Sequence, residues 1–247
     1  MVRATTAARV ADRAGSGSLW VSEPDVDGST GVPYEAYSLL GALAVKTELV
    51  HLGVVADHGE RRAPSILAKI VTGIDVISHG RAVLALDVDG SNEADIERHT
   101  EALAVCRAVL KDELPTWSGD HYAVNGAVNR PGPVQAGGVP IVVFVRGVEP
   151  VSEDLLAAVT GRADVVVVEG GPDRVASAVR MLGEQTGRSA GPAETGVFGT
   201  VTVGPGLPAA SVAGAAAEMR AAGARGCLVG IPFPWDPEII GDLTFNW

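Results

Sequence analysis

The stretch Ile74-Asp75-Val76-Ile77-Ser78-His79-Gly80-Arg81-Ala82-Val83-Leu84-Ala85-Leu86-Asp87-Val88 passes from a helical period to a continuous apolar run within a few residues. Asp75 and Ser78 are placed to hydrogen-bond the turn that leaves the helix, Gly80 suits a left-handed C-terminal cap, and Arg81 leads into the next strand. A strand apolar on both faces must be covered on both faces, which is the condition of a parallel sheet with crossover helices. The same alternation recurs along the chain. Strands are predicted over Ser18 to Glu23, Leu49 to Ala56, Ala82 to Val88, Val139 to Val145, Ala163 to Glu169, Phe198 to Val203 and Cys227 to Ile231. Helices are predicted at 34–46, 63–77, 93–113, 152–160, 172–185 and 208–223, with a further one, Ala4 to Ala14, before the first strand.

Composition narrows the function classes. The 247 residues carry 30 Asp and Glu against 19 Lys and Arg, a formal charge of −11. Nucleic acid and anionic membrane surfaces, which need a basic face, are therefore not expected partners. Mean hydropathy is +0.23, but Pro140 to Val145 and Ala163 to Val168 are far shorter than the ~20 residues of a membrane-spanning helix. No repeat or linker divides the chain, so a single domain over 1–247 is expected, and α/β barrels reach ~250 residues as one domain. Cys106 and Cys227 lie in apolar contexts and read as small core residues. The segment from Met1 to Gly17 lacks the uninterrupted apolar core of a secretory signal, and a cytoplasmic location is expected.

A closed (β/α)8 TIM-type barrel needs eight strands, and seven are visible, preceded by a helix where an opening strand would stand. The expected fold is thus a parallel barrel lacking its first strand, with an open edge that needs cover.

From Leu19 onward the order of motifs resembles the bacterial luciferase-like superfamily of flavin-dependent monooxygenases and deazaflavin (coenzyme F-420) dependent oxidoreductases. The resemblance rests on Ala14 to Glu23, on Leu52-Gly53 followed by Arg62-Ala63-Pro64, and on Leu67-Ala68-Lys69. Its most specific pieces are the Asp-x-x-Ser-x-Gly-Arg signature at 75–81 and Gly119-Asp120-His121-Tyr122 leading to Pro131-Gly132-Pro133-Val134-Gln135 and Pro140-Ile141. The resemblance implies FMN or F-420 as cofactor, a small organic substrate, and a homodimer formed through the helices at 34–46 and 63–77. The signature itself reads as structural, because activity in barrel enzymes sits at the C-terminal strand ends.

At those ends the chain departs from the pattern of the superfamily it resembles. Where an acidic residue and a candidate acid/base His are common, this chain has Glu23-Pro24, and proline has no titratable group. Where Gly-Thr and a non-proline cis step support the ring, it has Gly53-Val54-Val55-Ala56-Asp57, with Val55-Ala56 as the candidate cis step. Side chains of Leu86-Asp87-Val88-Asp89 precede Gly90 where a Gly-rich turn is usual. Arg146-Gly147 is a candidate anion partner, and Gly170-Gly171-Pro172 opens a helix whose N–H groups can face a phosphate. Gly204-Pro205-Gly206 sits where barrels often hold phosphate and is equally an ordinary turn.

The cofactor-binding candidates are accordingly Glu23, Val55, Ala56, Asp87, Arg146, Gly147, Gly170 and Gly171, with no metal site and no named catalytic acid/base. Glu23, Asp57, Asp87, Asp89 and Glu169 all fall at strand ends. A carboxylate about 6 Å from a cofactor phosphate costs on the order of 3 kcal/mol at an effective dielectric near 20. Such acids are either solvated or share a divalent cation through oxygen ligands. No histidine pair has metal spacing, and His58 alone lies near a strand end. No nucleophile elbow, Walker loop or G-x-G-x-x-G follows a strand. Two function classes follow: an oxidoreductase moving hydride between FMN or F-420 and a small organic substrate, or a cofactor-free barrel acting as a binding or assembly partner.

Overall fold

The computed structural model describes residues 2–22, 34–55, 62–89, 93–111, 114–146, 151–186, 195–203, 208–231, 235 and 237–243. Helix α1 (Val2–Arg13) precedes β1 (Ser18–Ser22), and α2 (Ala36–Ala44), β2 (His51–Val55), α3 (Pro64–Ser78), β3 (Ala82–Asp89) and α4 (Glu93–Lys111) follow. A small antiparallel hairpin of β4 (Thr116–Ser118) and β5 (Ala123–Asn125) interrupts the alternation. The chain continues through β6 (Ile141–Arg146), α5 (Glu153–Val159), β7 (Val165–Val168), α6 (Pro172–Thr186) and β8 (Gly196–Thr202). A 3-10 turn (Ala209–Ser211), α7 (Val212–Ala221), β9 (Gly226–Gly230) and α8 (Pro237–Asp242) complete it.

Seven parallel strands form one sheet in the order β1-β2-β3-β6-β7-β8-β9, curled into an incomplete barrel. Among the described residues β1 and β9 are its edges, and the cover comes from two helices. Ala7 and Ala11 of α1 meet Ile240 of α8, and Leu19 of β1 and Ile231 beyond β9 pack against the same cluster. The Ala4, Ala7, Ala8 and Ala11 stripe gives α1 the close-fitting face this requires.

The outer face of the sheet carries the main core. Leu84, Leu86 and Val88 of β3, Ile141, Val143 and Val145 of β6, and Val166 and Val168 of β7 are buried beneath the helices. Burying each such side chain stabilises the fold by about 1.5–3 kcal/mol before chain entropy is counted.

The signature at 75–81 ties the foot of the sheet together. Helix α3 stops because His79 (φ 58°) and Gly80 (φ 85°) both turn left-handed, so the reversal begins one residue before the glycine. The fully buried Asp75 carboxylate accepts from Ala82 N, Val134 N, Gln135 N and Gln135 Nε2 at 2.6–3.3 Å. Arg81 spends all five guanidinium N–H groups: Nε on Ser78 O, Nη1 on Thr47 Oγ1 and Val50 O, Nη2 on Ala44 O and Thr47 O. Asp12, at the end of α1, accepts from the N–H groups of Glu48, Leu49 and Val50. That capture by a side chain explains why β2 starts at His51 and not at the expected Leu49. Pro140 has no N–H, and β6 accordingly starts at Ile141 and not at Val139.

Candidate functional site

The inner face of the sheet is defined by alternation. Val83, Ala85, Val142, Phe144 and Val167 are buried on it, with Trp20, Val55, Val165, Phe198 and Leu228 packed alongside. Two glycines make room for its aromatic rings. A Cβ on Gly53 would lie 2.2 Å from the Trp20 ring, and one on Gly226 would lie 2.4 Å from the Phe198 ring. Trp20 meets Phe144 edge-on, with ring centroids 5.5 Å apart and planes at 77°. The inner face therefore carries an apolar layer that includes the rings of Trp20, Phe144 and Phe198.

Toward the C-terminal strand ends the same face becomes polar. Asp87 continues the Val83, Ala85 series and stands in register with Phe144, and Asp89 stands in register with Arg146. Thr200 and Thr202 continue from Phe198 on β8, and Thr202 reaches over Gly230 of β9, where an added Cβ would lie 3.1 Å from its hydroxyl. Ser22 and Thr202 are exposed at the rim. Asp87 differs, being only 4% exposed.

The predicted site residues fall into two groups. Val55 is half-buried at the end of β2 and packs on the inner cluster. Arg146 closes β6, and Gly170-Gly171 form the exposed turn into α6, with Gly170 at φ 128°. Glu23, Ala56 and Gly147 lie outside the described residues, as do Pro24, Asp57, His58 and the Gly204-Pro205-Gly206 turn. Glu169 is exposed after β7. Among the described residues no three His, Cys, Asp or Glu side chains are grouped to hold a metal ion. The one cis peptide among the described residues joins Arg130 to Pro131. Trp20, Phe144, Phe198, Thr200 and Thr202 were not expected at the site. Their signal was present as two-residue spacing along β6 and β8, but an apolar strand covered on both faces does not reveal which face is inner.

A second carboxylate anchor lies midway along α4. Glu101 of α4 accepts from Asp120 N, His121 N and Tyr122 N at 2.8–3.1 Å and holds the turn of the β4–β5 hairpin. Burial acts to raise its pKa, but those three N–H bonds and the nearby His121 outweigh it and leave the carboxyl below its usual value. Gly119 lets the carboxylate approach the turn closely, since a Cβ there would lie 2.3 Å from it and would make the Glu101 side chain shift.

With this geometry in place, comparison with known proteins decides the family. The model of the luciferase-like monooxygenase family matches residues 2–225. The chain belongs to the luciferase-like monooxygenase family. Its matching relatives include 5,10-methylenetetrahydromethanopterin reductases of Methanolobus tindarius and Archaeoglobus fulgidus, each 28% identical. The first match covers 57% of this chain and 43% of that protein, the second 45% and 35%, so the chain matches less than half the length of either. Solved structures share the fold. An F-420-dependent secondary alcohol dehydrogenase holding an F-420-acetone adduct superposes with a TM-score of 0.78 at 14% identity, covering 96% of this chain and 91% of that one. The F-420-dependent tetrahydromethanopterin reductase of Methanopyrus kandleri gives 0.77 at 15% identity, covering 99% and 94%. An oxygenating component of a diketocamphane monooxygenase from Pseudomonas putida, solved with FMN, gives 0.61 at 17%, covering 81% and 60%. Among the described residues no helix is long and apolar enough to cross a membrane.

Proposed function

We propose that this protein is an oxidoreductase that moves hydride between a flavin-type cofactor, F-420 or FMN, and a small organic substrate. The observation that carries this reading is the family match over residues 2–225, on a sheet whose inner face presents an aromatic layer beneath a polar rim. F-420 is the first candidate, supported by the reductase relatives and by the two F-420-dependent structures with the same fold. The same likenesses favour the enzyme over a cofactor-free scaffold.

The residues present suit such a group. Pockets for planar cofactors are mostly apolar with a few polar groups that orient the ligand, and Phe144 in register with Asp87, with Trp20 and Val55 in the same inner cluster, has that character. Nothing lies within 4 Å of a Cβ placed on Gly171, so the turn into α6 is open to a ligand. In this reading Gly170 and Gly171 offer backbone N–H groups to a phosphate, Arg146 and Gly147 border the same anion, and Glu23 and the Val55-Ala56 step flank the ring. A bound flavin or deazaflavin supplies the hydride chemistry, while the chain orients it and excludes water.

The partner proposal is a second copy of this chain. Ile66 (55% exposed) and Ile77 (47% exposed) stand on the outer side of α3, with Gly73 between them open to solvent. Burial of that stripe across a twofold axis would leave α2 and α3 at the interface. Sedimentation at micromolar concentration tests it: a mass of two 25.2 kDa chains is expected, and a single-chain mass removes it. The cofactor reading is tested by fluorescence titration with FMN and with F-420, where saturable binding of one of them is expected.

A further inference from the structure

Asp87 stands apart from the other buried carboxylates in its place on the sheet. Among the described residues, Asp12 and Asp75 are also buried, and each holds several backbone N–H groups at the N-terminal ends of the strands. Asp87 lies toward the opposite end of the sheet, in β3, between β2 and β6 in strand order. It faces inward after Val83 and Ala85, in register with Phe144, among apolar side chains that are themselves buried.

Asp87 is thus a buried carboxylate on the inner face. Its position is where barrel sites lie, on the inner face toward the C-terminal strand ends. The surrounding face has the shape and chemistry of a platform for a flat ring: an edge-on Trp20–Phe144 pair, apolar neighbours, and one strong acceptor.

We propose that Asp87 is a specificity-determining residue whose carboxylate accepts a hydrogen bond from an N–H on the edge of a planar heteroaromatic ligand lying over this layer. The inference rests on the flavin-type reading above and deepens it. The rings of FMN and F-420 both carry an imide N–H between two carbonyls, and methylation at that nitrogen removes the donor while keeping the ring. A hydrogen bond to a charged acceptor is worth about ten- to a hundredfold in binding.

The test is a fluorescence titration of the wild type and of Asp87→Leu with FMN, with F-420, and with the N3-methyl derivative of whichever binds. The wild type is expected to prefer the unmethylated ring by about ten- to a hundredfold, and Asp87→Leu to bind both forms within about threefold of each other. Asp87→Asn keeps an oxygen acceptor without the charge and is expected to show an intermediate preference. It also serves if circular dichroism shows the Leu variant unfolded. A wild type that binds both forms equally, or a preference that stays at the wild-type level in Asp87→Leu or Asp87→Asn, overturns the assignment to Asp87 alone. A folded wild type that binds neither cofactor overturns the flavin-type reading and this inference with it.

Discussion

Replacing Arg81 by Ala is the sharpest test of how the foot of the barrel is held. The side chain donates to four backbone carbonyls, those of Ser78, Val50, Ala44 and Thr47, and to the Thr47 hydroxyl. These acceptors come from the end of α2, the segment entering β2 and the end of α3, so one guanidinium joins three chain segments. Arg81 is half-buried, and water will reach some of the acceptors once it is gone. At a net value of about 1 kcal/mol per bond with partial rehydration, the loss is about 3 kcal/mol. For a chain of this size each kcal/mol lowers Tm by roughly 2–4 °C, which gives a fall of roughly 6–12 °C. Lysine offers three donors from one point and cannot span the fork, so Arg81→Lys should recover only about half of the loss. Thermal unfolding by circular dichroism measures both. Cofactor affinity of the folded Arg81→Ala protein at low temperature should stay within about twofold of wild type, about 0.4 kcal/mol. A Tm within 2 °C of wild type, roughly 1 kcal/mol or less, would refute the bonding argument, and a collapse of affinity in a protein that remains folded would refute the structural role.

Three further outcomes follow from the same packing. Burial acts to raise the Asp12 pKa, but three backbone N–H bonds and Arg81 outweigh it, leaving the folded value below the ordinary 3.8. Its contribution is therefore complete above pH 3.8 and is lost as pH falls through the lower folded value. Stability curves of wild type and Asp12→Asn should accordingly converge below that pH, and a gap that stays constant down to pH 2.5 would contradict this. Gly53→Ala drives a Cβ to 2.2 Å from the Trp20 ring and should cost about 1–3 kcal/mol in denaturant titrations, with Trp20→Leu restoring part of the loss. Burial pushes the Cys106 thiol up to about 12 and the Cys227 thiol to about 11. A disulfide reagent at pH 8 should thus label the native protein slowly at both sites and the unfolded protein promptly.

The strand and helix alternation was legible because parallel strands covered on both faces read as unbroken apolar runs, as in Val165–Val168. All seven strands of the sheet lie where apolar runs were read; boundaries differ by one or two residues at most of them, and at β2 and β6 the shift has a local cause, in Asp12 and Pro140. The β4–β5 hairpin was not expected as strands, because its three-residue arms are too short for a period and its turn depends on Glu101, which in sequence reads as one more acid on the surface of α4. The end of α3 was nearly legible, but His79 shares the left-handed turn with Gly80, and a histidine, which carries a Cβ, gives no such signal. Helix α8 went unread because a six-residue element is shorter than the window in which a helical period can be counted.

The candidate site was only partly legible. The strand ends supplied the candidate residues, Asp87 among eight. Its depth was not visible, because a 4% exposure is set by neighbours that only the fold brings alongside, such as Phe144 in register with it on β6. The aromatic layer was hidden for the same reason. Trp20 and Phe144 are 124 residues apart in sequence, and only the sheet order places their strands on one face.

The central claim is that this chain holds a flavin-type cofactor at the C-terminal ends of its strands. Fluorescence titration of the pure, folded protein with F-420 and separately with FMN at moderate fixed salt tests it most directly. The account predicts saturable binding of one of them at micromolar concentration, and F-420 first. Absence of binding to either would contradict it.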